Sequence, residues 1–387
     1  MKPDLDPAER PGSIYIHIPF CQSKCAYCAF NSYPAHHFDI NGYLAALEKE
    51  IDTMASHPLI RQKKNFSLFI GGGTPTIYSG KQLGRLTRSC QKLYHFTARP
   101  EISVETNPNQ INLETLNGLK EAGVNRLSIG IQSFADPLLK RLGRTHTVED
   151  GLKAIDLARK AGFDNINLDL MYGLPGQSLK DWQQTLETAL ATGPEHLAIY
   201  ELMVEENSTF GTLAAANKLE LPHEDTIVHM EKLTLQFLQS ANFIRYEIAN
   251  YARPGYECKH NINYWKNGTY LGLGAGAVSC LNNMRITHVA DPDQYRLLIT
   301  NDKSPFAGTE CLCMEARFRE TVIMGLRMTG GIDMTDLESR FGLTPSNYYG
   351  PILKNFIDRD LLEISGDHLR LTERSLPVAN QVLSELV

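Results

Sequence analysis

The stretch CQSKCAYCAF, residues 21–30, sets Cys21, Cys25 and Cys28 within one short loop, and Phe30 stands two places after the last. A structural zinc site wants four protein ligands. A catalytic zinc uses three and a water, and His17 lies close by in the chain. Three cysteines at spacings of four and three residues, with no histidine among them, fit a cubane iron–sulfur cluster better. Three thiolates then hold three irons, and the fourth iron is left for an outside ligand. A cluster that only carried electrons would normally take a fourth cysteine. Three unrelated core cysteines are the remaining reading, and the polarity of the loop weighs against it.

The rest of the chain sets limits on that loop. Its 387 residues suffice for two domains, or one large domain with an appendage, and need no disulfide staples. A content of 42% hydrophobic and 21% charged residues is that of a soluble globular protein. A net charge of −6 offers no broad basic field to displace phosphate counterions, so no nucleic-acid partner is expected. The N-terminal MKPDLDPAER has no apolar core and does not read as a signal peptide, and no apolar run approaches the length of a bilayer span. A cytoplasmic, reducing location is expected. Eight cysteines there point to metal or redox chemistry rather than disulfides. Cys90 lies in a helical pattern and reads as a small core residue; Cys258, Cys280, Cys311 and Cys313 are the others outside the loop.

Outward from the loop, β-branched runs alternate with helical patterns: 13–18, 67–70, 101–105, 126–131, 165–170 and 196–200. Ser79 is placed to cap a helix reaching about Tyr94, and Ser178 with Asp181 forms a capping-box pattern. Gly123 and Gly162 stand where helices end. Six βα units in a row predict an α/β fold built on a barrel or partial barrel, with a doubly wound open sheet as the alternative. The unusual residues favour the barrel. The cysteines follow the first strand, GGGTP (71–75) the second, Glu105 and TNP end the third, Gln132 the fourth, and Asp169 closes the fifth. Barrel loops converge on that face, whereas an open sheet gathers its ligands at one switch point. Residues 13–203 are read as the barrel core and 204–310 as its extension. Residues 311–387 are read as an α-rich tail of winged-helix-like pattern, with 346–362 as one helix. The tail's second helix carries little net positive charge and is taken as a packing or interaction module rather than a DNA reader.

The supporting residues suit a small ligand at the open iron. GGGTP lacks side chains at three positions, so backbone can come close to a guest. Glu105 and Asp169 can hold an amine and a ribose hydroxyl, and Arg144 can pair with a carboxylate in two-pronged fashion. Read singly, each is as well explained as a turn, a solvated acid or a surface arginine.

The spacing Cys21, Cys25, Cys28 with Tyr27 before the last resembles the signature of the radical SAM enzymes. The motifs YIHIPFC (15–21), GGGTPT (71–76), ETNP (105–108), IQSF (131–134), DLMYGLPGQ (169–177) and GLGAGAVS (272–279) narrow the resemblance to the HemN/HemW group of coproporphyrinogen III dehydrogenases and haem chaperones. The resemblance runs from about residue 13 to the C-terminus. It implies a [4Fe–4S] cluster on the three cysteines and S-adenosylmethionine (SAM) on the open iron. It also makes Tyr15, Gly72, Gly73, Thr74, Glu105, Gln132, Arg144 and Asp169 neighbours of SAM, with Tyr27 and Val278 toward the adenine. No catalytic residue is assigned.

Two departures point away from the dehydrogenases and toward the chaperone branch. Phe30 replaces their fourth cysteine, and only fourteen residues precede Tyr15. HNINYW, His260–Trp265, resembles a motif linked in that branch to haem. It makes His260, Asn261, Tyr264 and Trp265 haem candidates, a neutral imidazole for the iron and flat rings for the macrocycle. A hydrogen-bonded packing histidine is the plain alternative, and Cys258 is a rival ligand. The implied partners are haem as cargo and recipient haemoproteins, membrane-bound respiratory enzymes among them, with docking at the membrane surface through such a partner and a homodimer left open. The alternative is an enzyme: a coproporphyrinogen III dehydrogenase, a methyltransferase or another tetrapyrrole-modifying enzyme.

Overall fold

The first strand, Gly12–Ile18, shows how the barrel sorts its side chains. Ile14, Ile16 and Ile18 are fully buried beneath the helical layer, and the alternate Tyr15 and His17 face the other way. The computed structural model describes residues 12–61 and 63–387. The expectations about the signal peptide and the short N-terminal arm concern residues outside them.

Five further strands follow the same rule: Lys64–Gly72, His95–Thr106, Arg126–Gln132, Ile166–Tyr172 and His196–Glu201. Neighbours pair in parallel, and their order in the sheet is their order in the chain. A doubly wound sheet would reverse that order at a switch point, and none occurs here. Side chains from all six strands (Tyr15, Phe69, Glu105, Ser128, Asp169 and Ala198) line a single cavity, so the sheet is curled. It is not closed. One margin ends in the antiparallel strands Asn250–Ala252 and Ile244–Arg245, the other in Val278–Leu281, Met284–His288 and Phe306–Cys311. The result is a partial barrel.

The helices begin where their capping residues require. Ser79 with Gln82, Thr147 with Asp150, and Ser178 with Asp181 form reciprocal capping boxes at Gly80–Leu93, Val148–Lys160 and Leu179–Ala191. Gly123 and Gly162 take φ of +90° and +82° just past their helices, which a side chain would resist. Trp182 is fully buried, and its indole donates to Met230 O at 3.1 Å and Thr234 Oγ1 at 2.9 Å. That contact ties the helix Glu224–Ser240 to the barrel wall.

Two expectations change, and one segment left without elements acquires them. Asp169 lies in the middle of its strand, not at its end. The segment 258–279 holds regular structure: the helix Lys259–Trp265 and the strand Tyr270–Leu273, which pairs in parallel beside the first strand as a seventh member. In the tail, the helix expected over 346–362 is two, Pro345–Tyr349 and Pro351–Asp358. Pro351 has no N–H and disfavours helical geometry before it, and Gly350 breaks the turn at φ +48°.

The tail has its own apolar centre. Phe318, Val322, Leu337, Leu353, Phe356 and Leu369 form a cluster apart from the main core. A three-stranded sheet, Ile332–Asp333, His368–Leu371 and Leu362–Ser365, lies beside it. Among the described residues no helix is long and apolar enough to cross a membrane.

Candidate functional site

The three-cysteine loop leaves the barrel rim at Phe20–Cys21, a short strand paired with Tyr33–Pro34. It is pinned from three sides. Ala26 donates its N–H to Leu142 O at 2.9 Å, Phe210 donates to Ala26 O at 2.8 Å, and Tyr33 donates to Pro19 O at 2.7 Å. Ala26 and Tyr27 pack on an apolar group that includes Leu138, Leu142, Met171 and Phe210. Each thiol is half-buried and meets a polar neighbour: Thr74 Oγ1 donates to Cys21 Sγ at 3.6 Å, Arg144 Nη1 to Cys25 Sγ at 3.7 Å, and Ser32 Oγ lies 3.7 Å from Cys28 Sγ. Burial raises the Cys21 pKa, and the nearby sulfurs of Cys28 and Cys25 add to the rise. Among the described residues no three His, Cys, Asp or Glu side chains gather tightly enough to hold one metal ion. The donor set, three thiols with no histidine in the loop, fits thiolates on separate irons better than a structural zinc site, which wants four protein ligands.

A polar relay joins two of the thiols. Thr74 Oγ1, which donates to Cys21, accepts from Asn107 Nδ2 at 2.8 Å. Asn107 Oδ1 accepts from Arg144 Nη2 at 2.6 Å, which also donates to Gly130 O at 2.6 Å, and Arg144 Nη1 reaches Cys25. Gln132 joins the group from a left-handed backbone, φ +67°, at a register shift. A Cβ at Gly130 would meet Asn107 Oδ1, Gln132 Nε2 and Arg144 Nη2, so the three heads gather at one spot. Asn107 was not expected as a site residue, although it sits inside the TNP already singled out.

The glycines of GGGTP have a reason besides the one expected. A Cβ on Gly71 would stand 2.9 Å from the Glu105 carboxyl, on Gly72 2.6 Å from the His17 ring, and on Gly73 2.6 Å from Phe20 O. The amides of Gly72, Gly73 and Thr74 already donate to Glu105 Oε2, Ile18 O and Phe20 O. The missing side chains make room for the chain itself, and this clamp fixes the cysteine loop to the second strand.

Below the rim the barrel encloses a cavity of about 300 Å³. Tyr15, Glu105 and Asp169 line it, with Arg126 and the helix residues His260, Asn261 and Tyr264. Burial lifts Glu105 from its ordinary 4.5 to about 7, with Asp169 adding to the rise. Burial likewise lifts Asp169 from 3.8 to about 6, against hydrogen bonds from Asn167 and Ser128. Arg126, fully enclosed with no partner for its Nε, is the cation facing them. Sequence reading missed it, because a charged residue opening a strand reads as solvated. His17 donates from Nε2 to Asn31 O at 2.9 Å, so its Nδ1 accepts from Tyr15 OH at 2.8 Å. This links the cavity wall to the cysteine loop. Tyr27 sits above, near Arg144, Cys25, Cys28 and Asp169. Val278, on the strand Val278–Leu281, does not line the cavity.

The helix Lys259–Trp265 forms the floor. Glu101 receives the N–H groups of Lys259 and His260 at 3.1 Å each, and the Cys258 thiol at 3.5 Å. Cys258 is fully buried and burial pushes its pKa up to about 12, which disfavours the thiolate that the rival reading needs. His260 is also buried, held neutral by a pKa of about 3 that burial and then Arg126 bring down. Its ring bonds Ser67 Oγ and Tyr264 OH, each at 3.0 Å. Both nitrogens have partners, so binding iron would require one of these bonds to break. Trp265 faces away from the barrel, beneath the Arg327 guanidinium at 5.0 Å. Cys311 and Cys313 are exposed free thiols.

Residues 15–189 match the model of the radical SAM superfamily, and 314–378 that of the HemN C-terminal domain. The chain is similar to the haem chaperone HemW of Bacillus subtilis (strain 168), 37% identical across 96% of this chain and 97% of the relative. The chain belongs to the HemW family. The HemW of Escherichia coli (strain K12) is 39% identical over 69% of each chain. Among solved structures, coproporphyrinogen III oxidase (HemN) from Escherichia coli, a radical SAM enzyme, superposes with a TM-score of 0.84 at 26% identity, covering 98% of this chain and 90% of its own. HemW membership thus goes with a HemN-like frame, and the cysteine loop lies inside the matched radical SAM region.

Proposed function

We propose that this HemW-family protein binds haem and delivers it to recipient haemoproteins, using a [4Fe–4S] cluster and SAM to govern assembly or release. The likeness to named haem chaperones over nearly the whole chain carries the reading. Cys21, Cys25 and Cys28 would hold the cluster. When bound, cluster and SAM supply one-electron chemistry at a sulfonium. The chain's own residues do the positioning. Thr74, Asn107, Gln132 and Arg144 present polar heads at the rim. Tyr15, Glu105 and Asp169 offer a hydroxyl and two carboxylates to a cationic, hydroxyl-bearing guest. Gly72 and Gly73 hold the loop, Tyr27 flanks it, and Val278 sits farther out. Residues 13–203 would carry cluster and SAM, 204–310 the haem segment His260–Trp265, and 311–387 an interaction module. His260 supports that segment, and Asn261 and Tyr264 line its barrel side. A cytoplasmic protein meeting membrane-bound respiratory enzymes at the membrane surface fits this role.

Decarboxylation of coproporphyrinogen III is disfavoured by Phe30, whose side chain stands 71% exposed where the dehydrogenases carry a cysteine. The deciding experiment reconstitutes the protein without oxygen, titrates haemin, and in parallel supplies SAM, reductant and coproporphyrinogen III. Haemin binding without decarboxylated product is expected. Rapid product formation, or no haemin binding, would overturn the proposal.

A further inference from the structure

The barrel cavity is a poor place for a haem. It is small, about 300 Å³, at the lower limit of small-molecule sites. Its walls hold Glu105 and Asp169, which in their ionised forms repel the two propionates of haem, with Arg126 the cation among them. His260 has both nitrogens engaged there.

A second hollow lies on the other side of the same helix. It is a cleft of about 680 Å³ between the barrel's margin and the tail. The helix Lys259–Trp265 is a shared wall: His260, Asn261 and Tyr264 line the barrel side, and Trp265, followed by Lys266, lines the cleft. Trp265 brings a flat ring whose buried Nε1–H has no acceptor. Arg317 and Lys266 bring positive charge. Cys280, Met328 and His368, all lining the cleft, are sulfur and imidazole donors of the kinds that bind haem iron. Of the cleft's three acids, Glu320 is paired to Arg285, Asp336 to Arg340, and Asp333 accepts the N–H groups of Thr335 and Asp336 at the start of the helix Met334–Phe341.

We propose that the cleft between barrel and tail is the cargo site: a pocket for a flat, dianionic metallo-macrocycle, with Trp265 as its aromatic contact and Lys266 and Arg317 as its carboxylate anchors. The inference rests on the haem-carrying reading above and places the cargo on the opposite side of the helix from the SAM residues. One short helix then feels both occupants, which gives the barrel a physical means to influence the cargo.

Haemin titration of the reconstituted full-length protein, followed in the Soret band, tests this. In the Lys266→Glu/Arg317→Glu protein the Kd should rise about tenfold or more, since two charge-assisted anchors are reversed. The same reversal at the exposed Lys153 and Lys180, outside the cleft, should change it less than about twofold. A readout on the unaltered chain covers the case where the double variant misfolds. Haemin should slow alkylation of Cys280, followed by peptide mass spectrometry, and leave that of Cys311, outside the cleft, unchanged. Haemin bound with Cys280 unprotected, or a folded double variant with unchanged affinity, overturns the cleft while leaving the carrier role standing. Wild-type protein that binds no haemin overturns both.

Discussion

Asn107, not singled out from the sequence as a site residue, bridges Arg144, which was, and Thr74 of the glycine-rich turn. It accepts from Arg144 and donates to Thr74, and those two reach Cys25 and Cys21. Asn107→Ala should leave the three thiols in place, so brown cluster absorption persists, while affinity for SAM drops about tenfold, the scale of one lost charge-assisted bond. Equilibrium binding to reconstituted protein checks this. Cys25→Ala, in contrast, should lose the absorption, because two thiolates cannot hold a cubane. The cavity carboxylates set a pH dependence. Their folded pKa values are raised, to about 7 for Glu105 and about 6 for Asp169. Stability associated with them is therefore full at low pH and is lost as pH rises through those values. A cationic guest needs the ionised forms, so SAM should bind more tightly from pH 5.5 to 8, most steeply near 6 to 7. Calorimetry at several pH values gives the slope, and a flat profile would remove these two groups from contact with the cation. Residue identity at the rim was legible because unusual types recur at strand ends. Arg126 and Glu101 were not, since their partners lie on other elements far along the chain.

At the scale of elements, capping rules and alternation carried most of the reading. Ser79, Ser178, Gly123 and Gly162 sit where local chemistry puts them. Ser178→Ala should cost about 1 kcal/mol, the usual value of an N-cap, measurable by urea unfolding. The strand Tyr270–Leu273 escaped notice because its neighbours are glycines and asparagines. Gly272 is nonetheless required, since a Cβ there would stand 2.1 Å from Val278 O. Composition reported the glycine, and only the pairing explains it. The same holds for Gly73. Gly73→Ala should push Phe20 and the cysteine loop apart, lowering cluster content in anaerobic reconstitution. Iron and sulfide per chain measure it, and full loading would show that the loop tolerates the displacement.

For the whole molecule, the order of the strands mattered more than their number. Chain order preserved across six parallel strands is what separates a curled sheet from a doubly wound one, and the placement of polar residues at strand ends foretold it. The tail was legible as a separate α-rich unit through its own hydrophobic pattern, and its core is distinct. The cleft between the two was invisible in the sequence, since its walls come from residues near 265, 280, 317, 331 and 368.

The partial barrel has one last property. A sheet whose terminal strands, Ile244–Arg245 and Phe306–Cys311, never join has no fixed circumference. A closed barrel of given strand number and stagger has its girth set by geometry. Here slight changes of twist, shared along the ladder, can widen or narrow the bore without breaking a single inter-strand bond. The gap in the hoop is thus a seam of adjustable width, suited to a protein whose contents must come and go.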